Sequence, residues 1–282
     1  MLDKPPGITS AGAVAVVKRL LPRKTKIGHT GTLDPLATGL LVLVIGRATR
    51  LSRYVTDLDK SYVATARFGA ISDTLDAEGE ILTLDAPMPD EDDLRSAMQQ
   101  FTGDITQIPP MASAVKVGGE RLYKAHRRGE TVERESRPVT IHSFSLTNLD
   151  IASQTATFEI SCSSGTYVRS LIADLADSLG TGAHLTALRR TSIGDLNLQH
   201  ATTLDHLTED SVYNHIIQTN AVVGHLLILG VGGRTEKMVR SGRSLEAAGI
   251  EGPYRIMGGD ELLAVYRDSG NEARPEVVLC GE

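Results

Sequence analysis

The run Gly28-His29-Thr30-Gly31-Thr32-Leu33-Asp34-Pro35-Leu36-Ala37-Thr38-Gly39-Leu40-Leu41 sets one carboxylate among glycines, hydroxyls and leucines. A reactive Asp could be held in this way. Pro35 bars Asp34 from helical backbone angles and pushes it toward extended ones, so the carboxylate belongs on a stiff loop. Leu33, Leu36 and Leu40 can strip water from it, which raises a carboxyl pKa unless a cation or several hydrogen-bond donors compensate. A partner is therefore expected elsewhere in the chain. Asp before Pro is also an ordinary turn former whose side chain bonds its own backbone. Yet the fourteen positions hold three glycines, three threonines, a histidine and the only Asp-Pro dipeptide in the chain, more local specification than one surface turn requires.

Arg169 is a candidate for that partner. It falls near the start of a helical stretch, Thr166 to Leu179, with Val168, Leu171, Ile172, Leu175 and Leu179 on one stripe and Gly180 at its end. A cation there meets the positive end of the macrodipole, unfavourable by roughly 0.3–1 kcal/mol. An acid should offset this, either Asp34 in a leucine-lined pocket or a neighbouring surface acid. Tyr62, in Lys60-Ser61-Tyr62, has the shape to stack on a base, and its hydroxyl serves as a proton acceptor if its pKa is tuned. On a strand it equally reads as core. His29 has an unperturbed pKa near neutrality and could pass for a general base.

The elements that must position these groups follow from periodicity. Thr9 or Ser10 caps a helix carrying Val14, Val17 and Leu21, stopped by Pro22. Leu40 to Ile45 reads as a strand buried on both faces, and Arg47 to Val55 as a short helix with Arg47, Arg50 and Arg53 along it. Lys60 to Phe68 is a strand with Tyr62, Ala64, Ala66 and Phe68 on one face; Asp90 to Phe101 is a helix with Leu94, Ala97, Met98 and Phe101 inward. Val139 to Leu149 and Thr155 to Ser161 pair antiparallel. A polar helical region spans about Asp205 to Gln218. Glycines then punctuate short strands such as Leu262 to Tyr266 in a small β-rich module. Clustered strands without a repeated βαβ period indicate an α+β fold.

A chain of 282 residues with 41% hydrophobic content accommodates a large domain and a small one. The longest apolar run, Leu40 to Ile45, is far short of a membrane span, and no signal peptide opens the sequence, so a cytoplasmic protein is expected. Cys162 and Cys280 form no close pair, and the eight histidines show no metal-type spacing. The net charge of −6 argues against nucleic-acid binding, but its distribution does not. Lys18 to Lys60 holds nine Lys/Arg against three acids and Lys116 to Arg137 seven against four, whereas Asp73 to Asp104 holds ten acids and one Arg. The two basic segments suit phosphate tracking, and the acidic one reads as a solvated face.

The Asp34 run closely resembles the catalytic loop Gly-His-Thr-Gly-x-Leu-Asp-Pro-x-Ala-Thr-Gly of bacterial tRNA pseudouridine synthases of the TruB type, which isomerise uridine 55 in the T-loop. The resemblance covers roughly Leu2 to Leu196 and is weak in the tail. It implies a pseudouridine synthase fold with a mixed, largely antiparallel sheet over residues 1–220. A thumb-like insertion at about 108–141 and a small PUA-like RNA-binding module at 221–282 are also implied. Asp34 would be the nucleophile. Arg169, in Gly165-Thr166-Tyr167-Val168-Arg169, would salt-bridge it, and Tyr62 would pack on the base and assist removal of the C5 proton. Tyr167 would contact the base, Leu188 would lie beneath it, and His29 would enter the T-loop and steady the everted nucleotide. Asp76, in Asp73-Thr74-Leu75-Asp76, would support the site, and Lys4, in Lys4-Pro5-Pro6-Gly7, would lie structurally near it. Relatives carry several apolar residues of a first strand before Lys-Pro, which implies an incomplete sheet edge here.

By the same resemblance the target base must leave its stack, at a cost of a few kcal/mol that backbone contacts offset. No cofactor is needed for an isomerisation without redox change, and no dinucleotide fingerprint is present. The expected partner is the tRNA T-arm, bound by a monomer. Two other classes stay open at this stage. One is an RNA-binding or tRNA-folding module without catalysis. The other is a glycoside hydrolase, which needs two carboxylates about 5–9.5 Å apart where the Asp34 loop offers one.

Overall fold

Alternation of buried and open residues along Lys60–Phe68 builds the strand at the middle of the molecule, with Tyr62, Ala64, Ala66 and Phe68 buried as the period of two predicts. The computed structural model describes residues 1–280; residues 281 and 282, the end of the expected C-terminal module, lie outside the described residues. Lys60–Phe68 is bonded antiparallel to Thr155–Cys162 on one side and to Ala183–Ile193 on the other. Beyond the first lie Arg137–Asp150 and Gly103–Gln107, each antiparallel to its neighbour. Beyond the second lie Thr38–Leu41, parallel to it, then Leu2–Lys4, antiparallel, and Thr202–Thr203, parallel. The fold is therefore α+β around a mixed, largely antiparallel sheet. Leu2–Lys4 is bonded on both sides and forms no open edge.

Three helices cover this sheet through their apolar stripes. Thr9, not Ser10, caps Ser10–Arg19, its hydroxyl accepting the Gly12 N–H at 2.9 Å. Asp90 caps Glu91–Gln100, whose acidic first turn suits the positive helix end. Val168–Ser178 starts later than the expected Thr166 because Tyr167 is still extended, and it buries Leu171, Ile172 and Leu175 in the main core. Its first turn is thereby fixed against the sheet.

Three expectations fail in instructive ways. The apolar run Leu40 to Ile45 is two strands, Thr38–Leu41 in the main sheet and Leu43–Ile45 paired with Ile27–His29, because the chain changes partners at Val42. Arg47 to Val55 is a 3-10 turn, Gly46–Leu51, followed by a short α-helix, Ser52–Thr56. Its arginines make contacts within the chain: Arg47 and Arg50 donate to the carbonyls of Leu279 and Val278, and Arg53 pairs with Glu276 at 2.7 Å. They fasten the small C-terminal sheet to the rest. The polar region after Asp205 forms only 3-10 turns, Leu204–His206 and Val212–His215.

The C-terminal sheet runs in the order Leu227–Gly230, Pro253–Gly258, Glu261–Ser269, Glu272–Val278, Leu245–Glu246. Tyr254, Tyr266, Ile256 and Leu263 fill its own apolar cluster, consistent with a PUA-like module.

Gly39 permits the closest approach between strands. Its φ is +96°, and a Cβ there would lie 2.3 Å from the Arg190 carbonyl oxygen. Gly39→Ala should cost about 2–4 kcal/mol through combined strain and overpacking. Urea denaturation should show the loss, and an unchanged midpoint would contradict the close approach.

Candidate active site

Arg169 sits in the first turn of Val168–Ser178, 5% exposed, and its guanidinium reaches four groups from three segments. One terminal nitrogen pairs with Asp34 Oδ2 at 3.0 Å and donates to the Ala112 carbonyl at 2.8 Å. The other donates to Asp76 Oδ2 at 3.1 Å and to the Thr74 carbonyl at 2.7 Å. The cation at the positive helix end is thus offset by two carboxylates, where the sequence suggested one. Asp76 is buried, and it also accepts from the Thr74 hydroxyl at 2.7 Å and the Glu78 N–H at 3.0 Å.

The loop carrying Asp34 is gripped on both flanks. The Ser10 hydroxyl accepts the Leu33 N–H at 2.8 Å and donates to the Leu33 carbonyl at 3.0 Å. On the other flank, the Pro35 carbonyl accepts the Gly7 N–H at 2.9 Å and the Lys4 ammonium at 3.2 Å. Lys4 is fully enclosed and also donates to the Pro5 and Ile8 carbonyls. It stands behind the loop and borders neither cavity described below. Of the three leucines expected to dry the carboxylate, Leu33 borders it, whereas Leu40 packs in a separate cluster with Val42, Val55 and Ile193. Strand alternation points Leu40 away from the site.

Asp34 opens onto a cavity of about 280 Å³ walled by Tyr62, Tyr167, Leu188 and Arg169, and onto a cleft of about 1140 Å³. The register explains the shared wall: Ala64 faces Leu188 and Tyr62 faces Arg190 across the two strands, so these side chains share one sheet face. Tyr167 is locked by Gln107, which accepts its N–H at 3.0 Å and donates to its carbonyl at 3.3 Å. The Arg137 guanidinium stacks over its ring at 4.6 Å. His29 is not at the smaller cavity; it borders the cleft, as do Asp76 and Arg121, Tyr123 and Arg127 of the insertion. Arg128 is exposed and paired with both Glu120 and Glu130. The insertion is tied to the Asp76 turn by His126 and Asp73 at 3.2 Å.

Sequence reasoning missed Ser10, Gln107, Thr74 and Arg190 as parts of this assembly. Their signals were weak, because a helix-start serine and a strand-end glutamine are common in other roles. Arg190, 1% exposed, donates to the Leu40 carbonyl at 2.8 Å and the Gly31 carbonyl at 3.1 Å, clasping both ends of the Asp34 loop.

Electrostatics differ from the simple expectation of an Asp held ionised by its arginine. Burial pushes the Asp34 carboxyl above its ordinary value; Arg169 opposes this, Asp76 adds to it and Lys4 opposes it. The 38% of the Asp34 side chain that is open borders the cavity and the cleft. Burial pushes the Tyr62 phenol up, so it is a neutral hydroxyl at pH 7. Burial, then Arg190, lowers the His29 pKa and keeps its ring neutral at pH 7.

A raised folded-state carboxyl pKa means that the folded protein takes up a proton before the unfolded chain does. The Asp34 contribution to stability therefore rises as pH falls through the folded value and levels off below the unfolded one. In Asp34→Asn this rise should be absent and Tm at pH 7 should equal or exceed that of the parent. Arg169 keeps Asp76 and both carbonyls, so the site should hold. A lower Tm at pH 7 would contradict the burial penalty.

Residues 18–168 match the model of the TruB family pseudouridylate synthase N-terminal domain, and residues 169–236 that of the tRNA pseudouridylate synthase B C-terminal domain. The chain is 50% identical over 207 residues to the tRNA pseudouridine synthase B of Cupriavidus metallidurans, covering 73% of this chain and 66% of that protein. It is 43% identical to the tRNA pseudouridine synthase B of Aromatoleum aromaticum, over 96% of this chain and 88% of the relative. Among solved structures, a Cbf5-Nop10-Gar1 complex superposes with a TM-score of 0.75 at 27% identity, covering 99% of this chain and 84% of that one. An H/ACA RNP bound to a substrate RNA containing 2′-deoxyuridine gives 0.73 at 25% identity, over 99% and 83%. The chain belongs to the TruB family of pseudouridylate synthases.

Proposed function

We propose that this protein converts uridine to pseudouridine at position 55 in the T-loop of tRNA, with Asp34 as nucleophile. The observation that carries this reading is the Asp34–Arg169 pair, 3.0 Å apart, on the wall of a cavity lined by Tyr62, Tyr167 and Leu188. A flipped base has two aromatic faces and an aliphatic one to meet there, in place of the stack it leaves. Asp34 acts at the ribose C1′ region, the N1–C1′ bond breaks, and uracil turns and rejoins through C5. Tyr62, as a neutral phenol, packs on the base and assists the departing C5 proton. Arg169 holds the carboxylate in line, while Asp76 and Lys4 support the site from behind. His29, neutral and at the cleft, steadies the everted nucleotide.

The insertion at about 108–141 lies over the cleft, and its Arg121 and Arg127 contact phosphate there, setting register more than sequence. Residues 1–220 act as the catalytic domain and 221–282 as a small RNA-binding module. The enzyme works as a monomer in the cytoplasm, without a cofactor. No helix among the described residues is long and apolar enough to cross a membrane.

Incubating the purified protein with a T-arm transcript and mapping pseudouridine tests the reading. The parent should modify one uridine. Asp34→Asn should bind the transcript with affinity within about threefold of the parent and form no pseudouridine. Product formation by Asp34→Asn would overturn the nucleophile assignment. Binding by both proteins with no product from either would leave an RNA-binding module.

A further inference from the structure

The cavity that Asp34 borders is also lined by two buried cations. Lys60 and Arg190 both border the 280 Å³ cavity, 8% and 1% exposed, and neither forms an ion pair among the described residues. Arg190 donates to the backbone carbonyls of Leu40 and Gly31 and, at 3.5 Å, Thr32, and its guanidinium also hydrogen-bonds the Tyr62 phenol. Lys60 donates to the Thr56 carbonyl at 2.8 Å and to that of Leu58. Each keeps N–H groups beyond those used.

Burying two like charges side by side is costly, and proteins ordinarily pair such groups with carboxylates. These two lie together: a Cβ at Gly31 would stand 3.6 Å from Arg190 Nη1 and 4.0 Å from Lys60 Cε. The alternation that points Tyr62 and Leu188 into the cavity points Lys60 and Arg190 the same way, as each lies two residues along its strand. A base seated on Tyr62 and Leu188 thus shares its wall with these two cations, in the same cavity that Asp34 borders.

The reaction supplies the missing negative charge. When the N1–C1′ bond breaks, its electron pair leaves with uracil, which becomes an anion with charge spread over N1, O2 and O4. C1′ meanwhile gains a bond to an Asp34 oxygen, or C2′ gives its proton to Asp34 and a C1′=C2′ double bond forms. When C5 then bonds to C1′, the Asp34–C1′ bond breaks, or C2′ takes its proton back from Asp34; the ring loses its charge, and at the end the C5 proton departs and N1 gains one. Resting on the proposed uridine isomerisation, we propose that Lys60 and Arg190 form an electropositive seat that stabilises the detached uracil anion. They would act chiefly after cleavage begins, which is how an electrostatic group lowers a barrier without tightening substrate binding. The lysine also titrates in a useful range: burial, then Arg190, brings its pKa down to about 8, against the opposing influence of Cys162, Asp59 and Asp57.

Single-turnover conversion of a T-arm transcript by the full-length protein, with transcript affinity measured in parallel, tests this role. Lys60→Met should slow conversion about 100-fold while affinity and its salt slope stay unchanged. In the parent the rate should fall as pH rises through about 8. Lys60→Arg should retain most of the rate and lose that alkaline fall, a signature that a merely structural lysine would not give. The inference fails if Lys60→Met converts within threefold of the parent, or if its loss is one of affinity with a salt slope smaller by about one, which would mark a phosphate contact. A loss in Lys60→Met matched by an equal, pH-independent loss in Lys60→Arg would also overturn it, as a packing effect. If the parent itself forms no pseudouridine, the functional reading fails and this inference falls with it.

Discussion

One guanidinium sets the geometry of the site. Arg169 touches the Asp34 loop, the Asp76 turn and the base of the insertion together, through Asp34, Asp76, Thr74 and Ala112. A planar fork with two terminal nitrogens can do this, whereas the compact ammonium of a lysine cannot. The rest of the fold serves the placement of that fork. The apolar stripe of Val168–Ser178 fixes the helix to the sheet, and Gln107 holds the backbone at Tyr167 so that Arg169 emerges at the cavity wall.

This arrangement is electrostatically strained by design of its parts. Two carboxylates share one arginine, and burial disfavours the charge that the proposed attack by Asp34 requires. The arginine moderates the penalty without cancelling it. In the proposed role, an Asp34 held this way is less comfortable in the empty protein than a surface aspartate, and its charge would be relieved on meeting an electron-poor carbon. Burial thus works in the direction of reactivity, at some expense of stability.

The sequence exposed those parts of the molecule governed by local rules. The alternation in Lys60 to Phe68, the apolar stripe after Tyr167 and the inward spacing of Leu94, Ala97 and Met98 each define their element, and the Asp34 run marks its loop. What stayed hidden depends on where the chain goes next. Nothing in the apolar letters from Leu40 to Ile45 reveals a change of partner strand at Val42. Arg47, Arg50 and Arg53 look like phosphate ligands until the C-terminal sheet arrives to accept them. At the site, Asp34 and Arg169 were recognisable by motif. Ser10 and Gln107 act through single hydrogen bonds to distant backbone, which leave no periodic trace in sequence.

In the proposed reaction Arg169 acts through shape as well as charge. Single-turnover pseudouridine formation by Arg169→Lys, with T-arm RNA affinity measured alongside, separates the two. The rate should fall by at least about 100-fold with affinity unchanged, because a point charge cannot hold Asp34 and Asp76 at once. Conversion by Arg169→Lys at close to the parent rate would contradict it.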